Sequence, residues 1–385
     1  MVGPWTMDRG PWTKILFTVL LLVLGPRSPA HGPTAPTIRV ALLKNVPAVT
    51  LQGKELRIRL PEEKPVSYYV ASPVRVSAAA EGIQVGDQKY AYPQVRIQSL
   101  EKPIAIGSRQ FEGTLEFHKT GDDSLLVLND LPMETYLTGL VHGEIHASWP
   151  AEAVKAQVVA ARTYALFRQE KRKQNKNSLY DLEGDQDDQV YAGSKGSADV
   201  SVQKAIEQTH GEVLWFLGLY PAYFHSCCGG MTEKAEKVWG KKETSAQVAD
   251  PFCKNSPFSE WELKLSAGDF LKKLRGHGLE GRRLKNISLE RHDGSPRNAV
   301  AVIETDKMNL YIGATDLRRI VGYGKLKSTW FEVQHSPYSV SFRGLGYGHG
   351  VGLCHWGAKE LAEEWKSYRV ILEFYYPKAV VRKVY

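Results

Sequence analysis

Residues 131–167 read LPMETYLTGLVHGEIHASWPAEAVKAQVVAARTYALF, and the organisation of the chain follows from them. Met133, Tyr136, Leu137, Leu140 and Val141 fall at i, i+3, i+4, i+7 and i+8. That spacing predicts a helix from Pro132 to His142 with one apolar face. Pro132 suits a first turn, where its missing N–H removes no helical bond, and Gly143 is the expected stop. A second helix is expected from near Ser148, a candidate N-cap, with Pro150 in its first turn. Val154, Val158, Ala161 and Ala165 form a narrow stripe of small residues suited to close packing. Arg162 stands roughly 80° from Val154 at 100° per residue, so it borders the packed face. Glu144 is left in the joint between the helices, on irregular backbone where catalytic groups often lie. A solvated carboxylate or a helix cap is the plainer reading of that position.

The chain has 385 residues, enough for one large domain or two ordinary ones. With 43% hydrophobic and 24% charged residues it is neither disordered nor fibrous. Arg9 and Lys14 precede an apolar run of 11 residues, Ile15 to Gly25, and Ser28-Pro29-Ala30 follows as a small-residue cleavage site. This is the pattern of a secretory signal peptide, and the run is short for a bilayer span. The expectation is export to the periplasm or cell-wall space, with no membrane span after cleavage. Of the net +8, the leader holds +2 (Arg9, Lys14 and Arg27 against Asp8), which leaves +6. A basic exported protein suits an anionic polymer or surface. No nucleic-acid motif is present.

The chain has four cysteines, Cys227, Cys228, Cys253 and Cys354. Export permits disulfides. Of the three complete pairings, the one joining the adjacent Cys227 and Cys228 is disfavoured, and Cys228–Cys253 is the preferred bridge. No C-x-x-C pair is present, so no strong zinc signature exists and no metal or other cofactor is expected.

The expected class is α+β, with antiparallel β regions framing a helical core and a groove. Residues 1–30 are the leader and 31–36 a Pro/Gly-rich linker. Residues 37–130 alternate as strands (IRVALL imperfectly, ELRIRL cleanly). Residues 131–245 form the core carrying the two helices, with another helix at 196–210. Residues 246–330 are an inserted α+β region. Residues 331–385 hold strands, a glycine cluster and one closing helix from Ala358 to Tyr375. The basic run after Phe167 complements a helix C-terminus. The acidic loop YDLEGDQDDQVYAG lacks EF-hand spacing.

Two turns carry chemistry. Gly344, Gly346, Gly348, Gly350 and Gly352 surround His349, with His355 and Trp356 following. Glycine lets backbone approach a ligand closely, but there is no strand–turn–helix context for a dinucleotide. A groove wall fits better, with Trp356 placed to stack on a sugar ring. His225-Ser226-Cys227-Cys228-Gly229-Gly230 has the same character. A Cys–His nucleophile pair is conceivable there, although an exported cysteine with a partner in Cys253 is expected to be oxidised.

The strings ME-x-YL-x-GLVHGE, AEAVKAQVVAARTYAL, DQVYAG, FHSCCGGMTE, VWG, DPFC and GYGHGVGLCHWGA together resemble the SpoIID family of stage II sporulation protein D and amidase-enhancer proteins. The resemblance runs from IRVALL almost to the C-terminus. It implies a lytic transglycosylase acting on peptidoglycan glycan strands, preferring peptide-free glycan, with a cell-wall amidase as a further partner. The family's catalytic glutamate falls on Glu144, in Gly143-Glu144-Ile145-His146. Its groove motifs fall on Lys155, Gln157, Arg162, Thr163, Tyr164, Gln189, Tyr191, Ser226 and His349, beside His225 and Trp356. Zinc-binding members carry Cys and His-Cys where this chain has Glu183, Asp187 and Asp188, so that zinc site is expected to be absent. Cys354 and His355 replace the usual serine and glutamine.

A glycosidase normally pairs two carboxylates. A lytic transglycosylase manages with one acid that then takes a proton from the sugar's own C6 hydroxyl. Its pKa must be raised by burial, for which Trp149 and Ile145 are available. Glu134, in the first turn of its helix, is held ionised by the dipole and is the wrong acid. The alternatives are a non-catalytic glycan-binding amidase enhancer and a thiol peptidase using Cys227 or Cys228 with His225.

Overall fold

A computed structural model describes residues 35–61, 67–101, 103–146, 148–175, 177–184, 188–189, 191–194, 200–240 and 243–385. The expected leader, most of the linker, Asp187 and the start of the 196–210 helix lie outside the described residues. The architecture is α+β. Among the described residues its α-helices are α1 (Met133–Glu144), α2 (Ala151–Lys173), α3 (Val200–Gln208), α4 (Ala235–Trp239), α5 (Ala267–Arg275), α6 (Ala314–Val321), α7 (His355–Glu363) and α8 (Tyr368–Tyr375). Among the described residues no helix is long and apolar enough to cross a membrane.

Residues 37–132 build two sheets. In the larger, strand Thr37–Val46 lies between Ser124–Pro132, antiparallel, and the short Leu182–Glu183, parallel. The imperfect alternation of IRVALL has a structural cause: the register against Ser124–Pro132 shifts between Ala41 and Leu43 and again before Val46, as β-bulges do. The second sheet is antiparallel, and its inward side chains share one core with the first: Leu51, Val76 and Val85 meet Ile58, Val95 and Phe117.

The expected apolar face of α1 is in that core, with Met133, Tyr136, Leu137, Leu140 and Val141 fully buried. Gly143 does not stop the helix, which continues to Glu144 before Ile145 turns extended. Gly139 allows α1 to approach its neighbour closely, because a Cβ there would lie 2.7 Å from the Tyr191 ring and 2.8 Å from the Gly193 carbonyl. The second helix starts at Ala151 with Pro150, not Ser148, at its N-cap. α2 is buried nearly all round, as a helix at the centre of a fold must be. Val154, Val158, Ala161 and Ala165 face the first core, and Ala153, Ala156, Val159 and Ala160 face a second one built with α7 and α8.

Strand Ser339–Leu345, grouped by sequence with the C-terminal part, pairs instead with Glu260–Ser266 on one side and with Phe331–His335 on the other. These strands close a third core around Phe270, Leu274, Ile303, Leu317 and Phe342. The closing segment is two helices: the chain breaks after Glu363, with Trp365 in the left-handed region at φ 62°.

Candidate active site

Glu144 is the last residue of α1 and is half-buried. It lines a cavity of about 400 Å³. One wall comes from α2 and the acidic loop, through Tyr164, Arg168 and Asp188. A second is Tyr223-Phe224-His225-Ser226, and a third is Tyr347-Gly348-His349. Trp239 from α4 and Thr315, Arg318 and Tyr323 from the α6 region complete it.

The second and third walls are joined by backbone. Phe224 and His225 pair in parallel with Leu353 and Cys354, and Cys227 exchanges two hydrogen bonds with Tyr347. Gly352 permits this approach: it sits at φ 73°, and a Cβ there would lie 2.0 Å from the Tyr223 carbonyl oxygen. His225 and His349 thus face each other with ring centroids 5.5 Å apart.

Both imidazoles are held neutral. The His225 Nδ1–H donates to the Val351 carbonyl at 3.1 Å, which leaves Nε2 as an acceptor, buried and without a protein partner. Burial, then His349 and the Arg297 cation, push its pKa well below the usual histidine range. His349 accepts the Val351 N–H on Nδ1 at 3.0 Å. Burial, then Arg318 and Arg297, push it down to about 3. Neither ring carries charge near neutrality.

Asp188, the other carboxylate of the cavity, is fully engaged. It pairs with Arg168 at 2.8 Å, accepts the Tyr164 hydroxyl at 2.9 Å and accepts the Glu183 N–H at 2.8 Å. Arg318 is a different kind of cation. It donates to the Leu326 carbonyl at 2.9 Å, and among the described residues no carboxylate pairs with it. Burial lowers its pKa to about 10, so it remains charged at neutral pH.

A family model described as SpoIID, stage II sporulation protein, matches residues 121–216. Stage II sporulation protein D of Bacillus amyloliquefaciens is 31% identical over 271 residues, 65% of this chain and 74% of that one. The chain belongs to the SpoIID family. Stage II sporulation protein D of Bacillus subtilis is 28% identical over 301 residues, covering 71% of this chain and 81% of the relative. The amidase enhancer of Bacillus subtilis is 27% identical over 327 residues, 72% of this chain but 45% of the enhancer.

Of the SpoIID motif positions, Tyr164, His225, Ser226 and His349 meet Glu144 in the cavity. The others do not, each for a visible reason. Arg162 is fully buried and forms a two-pronged pair with Glu134, Nε to Oε1 at 3.0 Å and Nη2 to Oε2 at 2.6 Å. Thr163 bridges the Val159 carbonyl and the Leu214 N–H. Gln189 accepts the buried Tyr136 hydroxyl at 2.6 Å, and the Tyr191 hydroxyl donates to Asn129. Gln157 is buried in α2 with both amide atoms unpartnered, and Lys155 pairs with Glu152. These residues lie outside the cavity lining.

Trp356 packs edge-on against Trp149 at 5.3 Å, outside the cavity lining. The tryptophan that does line the cavity is Trp239, whose ring lies 4.6 Å from Tyr223 and 5.0 Å from His349. Ile145 lies in the core and Trp149 beside it, so the apolar surroundings of Glu144 are Tyr164, Tyr223, Phe224 and Trp239 instead. At the position of the family zinc ligands, Glu183 is engaged by Lys44 and the Tyr180 hydroxyl, both at 2.6 Å, and Asp188 by Arg168. Cys228 and Cys253, expected as a bridge, are two thiols with sulfurs 3.3 Å apart. Arg318, Thr315 and Tyr323 have no local sequence signal at all.

Proposed function

We propose that the protein is an exported peptidoglycan lytic transglycosylase with Glu144 as its single acid and base. The observation that carries this reading is the pairing of Glu144 with an aromatic, imidazole-lined cavity whose other carboxylate is locked. Asp188 cannot act as a second catalytic acid while Arg168, Tyr164 and a backbone N–H occupy it. Glu144 shares the cavity with the rings of Tyr164, Tyr223, Phe224 and Trp239.

The step balances without water. The Glu144 carboxyl donates its proton to the glycosidic oxygen as the C1–O bond of a muramic acid residue breaks. The C6 hydroxyl of the same residue attacks C1, and the Glu144 carboxylate takes the O6 proton. A 1,6-anhydro ring and a free saccharide 4-hydroxyl result, with Glu144 restored. His225 Nε2, a neutral acceptor, receives a sugar hydroxyl without placing a cation beside the acid. Trp239 offers a face for a pyranose ring.

Arg318 supports a preference for peptide-free glycan. Removing the stem peptide leaves a free lactyl carboxylate on muramic acid, and a buried cation without a protein carboxylate suits that group. Digestion of denuded glycan, with mass analysis of the ends, tests the proposal. Anhydro-ended saccharides are expected from the wild type and none from Glu144→Gln. Saturable glycan binding with no product in either would refute catalysis and leave an amidase-enhancing binder, the role printed in the name of one relative.

A further inference from the structure

Cys228, Cys253, Cys354 and Asp250 come from three separate segments and converge in the second core. They belong to the turn after Ser226, the helical turn Pro251–Asn255 with the residue before it, and the residue that caps α7. All four are buried to within 1% of complete exclusion from solvent, and their ligand atoms lie within 4.8 Å of one another. We propose that these four side chains form a structural site for zinc or a similar thiophilic divalent cation.

The four ligand atoms are gathered slightly tighter than around a tetrahedral ion, so a bound ion would spread them by about half an ångström. Metal–sulfur bonds of about 2.3 Å and a metal–oxygen bond of about 2.1 Å place sulfurs about 3.8 Å apart and sulfur and oxygen about 3.6 Å apart. Cys228 Sγ lies 3.3 Å from Cys253 Sγ and 3.1 Å from Asp250 Oδ2. The surroundings are those of thiolates. The Cys228 and Gly357 N–H groups point at Cys354 Sγ, at 3.3 and 3.5 Å, and the Gly230 N–H at Cys228 Sγ, at 3.3 Å. Asp250 is oriented by the Tyr375 hydroxyl at 2.9 Å and the Phe252 N–H at 3.0 Å, as metal-bound carboxylates are.

Charge argues the same way. Asp250 is completely buried, and among the described residues no protein cation pairs with it. A buried carboxylate is costly unless paired or coordinated to a metal. Two disulfides would leave it without any partner charge, whereas a divalent cation supplies one. The buried Arg297 guanidinium, bonded to the Cys228 carbonyl at 2.6 Å, offsets half of the excess negative charge of three thiolates and a carboxylate around a divalent cation. Four protein ligands leave no open position, so the ion is structural. It would clamp the strand pair His225↔Cys354 that carries the cavity wall. The inference stands apart from any turnover by Glu144, and its test reads metal and thiols, not glycan.

The full chain, purified without chelator or reductant, is analysed for metal by plasma mass spectrometry and for thiols by alkylation after unfolding. The expected result is one zinc per chain and four alkylatable cysteines. Cobalt substitution should give tetrahedral d–d bands and thiolate charge-transfer absorption. Asp250→Asn should weaken zinc about tenfold or more. Cys227→Ser should keep it, since Cys227 Sγ is directed to the Cys253 carbonyl and lies outside the four-ligand set. Metal-free protein with Cys228–Cys253 oxidised would overturn the proposal, as would reduced wild-type protein that binds no zinc or cobalt.

Discussion

Acidification should destabilise the protein through His349. The perturbation is a change from pH 7 to pH 5, compared between wild type and His349→Asn. Asn offers an oxygen where Nδ1 accepts the Val351 N–H. The native His349 titrates at about 3, because it is buried and faces Arg318 and Arg297. In the unfolded chain it titrates near ~6.5. Between these values the unfolded state binds more protons, so stability falls as pH drops below ~6.5 and stops falling near the native value. From pH 7 to pH 5 the loss is about 2 kcal/mol for this one ring. Chemical denaturation of both proteins at both pH values gives the two losses. The wild-type loss should exceed that of the variant by about 2 kcal/mol. Asp250, whose carboxyl burial pushes up, is present in both proteins and cancels, and His225 keeps burial, the main cause of its neutrality, when His349 is replaced. Equal acid sensitivity in the two proteins would refute the neutral-His349 reasoning.

Other expectations follow from single contacts. Arg162→Ala leaves the half-buried Glu134 carboxylate without its cation, with the Tyr385 hydroxyl still donating to it, and should cost about 3 kcal/mol in denaturant unfolding, while combining Arg162→Met with Glu134→Gln recovers much of it. Arg318→Gln should raise KM for denuded glycan about tenfold, about 1.4 kcal/mol, and leave kcat within twofold; an unchanged KM would remove the carboxylate-binding role. Trp239→Ala should weaken glycan binding by about 1 kcal/mol in calorimetry, with Trp356→Ala as the contrast that leaves binding intact.

Much of the frame is legible in the sequence because it rests on local pattern. Five apolar residues at helical spacing place α1, and all five are buried. The alternation of 37–130 marks strands, and even its imperfection at Ala41–Leu43 corresponds to a real register shift. Legibility fails where long-range contacts decide. Glycine chemistry alone puts a helix stop at Gly143, yet the last turn runs through it and ends at Glu144, before the extended Ile145. The α6 wall of the cavity is separated from Glu144 by more than 160 residues, and nothing near Arg318 distinguishes it from a surface arginine. The sulfur cluster escapes for the same reason. Local C-x-x-C spacing detects ligands on one turn, while these ligands lie on three segments.

The motif strings are accurate about importance and ambiguous about kind. Tyr164 and Arg162 stand two positions apart on α2, yet one enters the cavity and the other is sealed against Glu134. The sealed pair still bears on the chemistry. Glu134 and Glu144 lie ten residues apart on α1, about 15 Å along the axis at 1.5 Å per residue. Fixing Glu134 to α2 at one end therefore fixes where the other end delivers its carboxylate. A small change in the α1–α2 angle at the ion pair becomes a displacement of ångströms at Glu144, comparable with the ~1 Å misplacement that impairs a catalytic group. Arg162→Lys, which keeps the charge and loses the two-pronged geometry, should on this reasoning lower kcat more than it raises KM. A variant that folds with full kcat would show that the helix pair is held by its apolar packing alone.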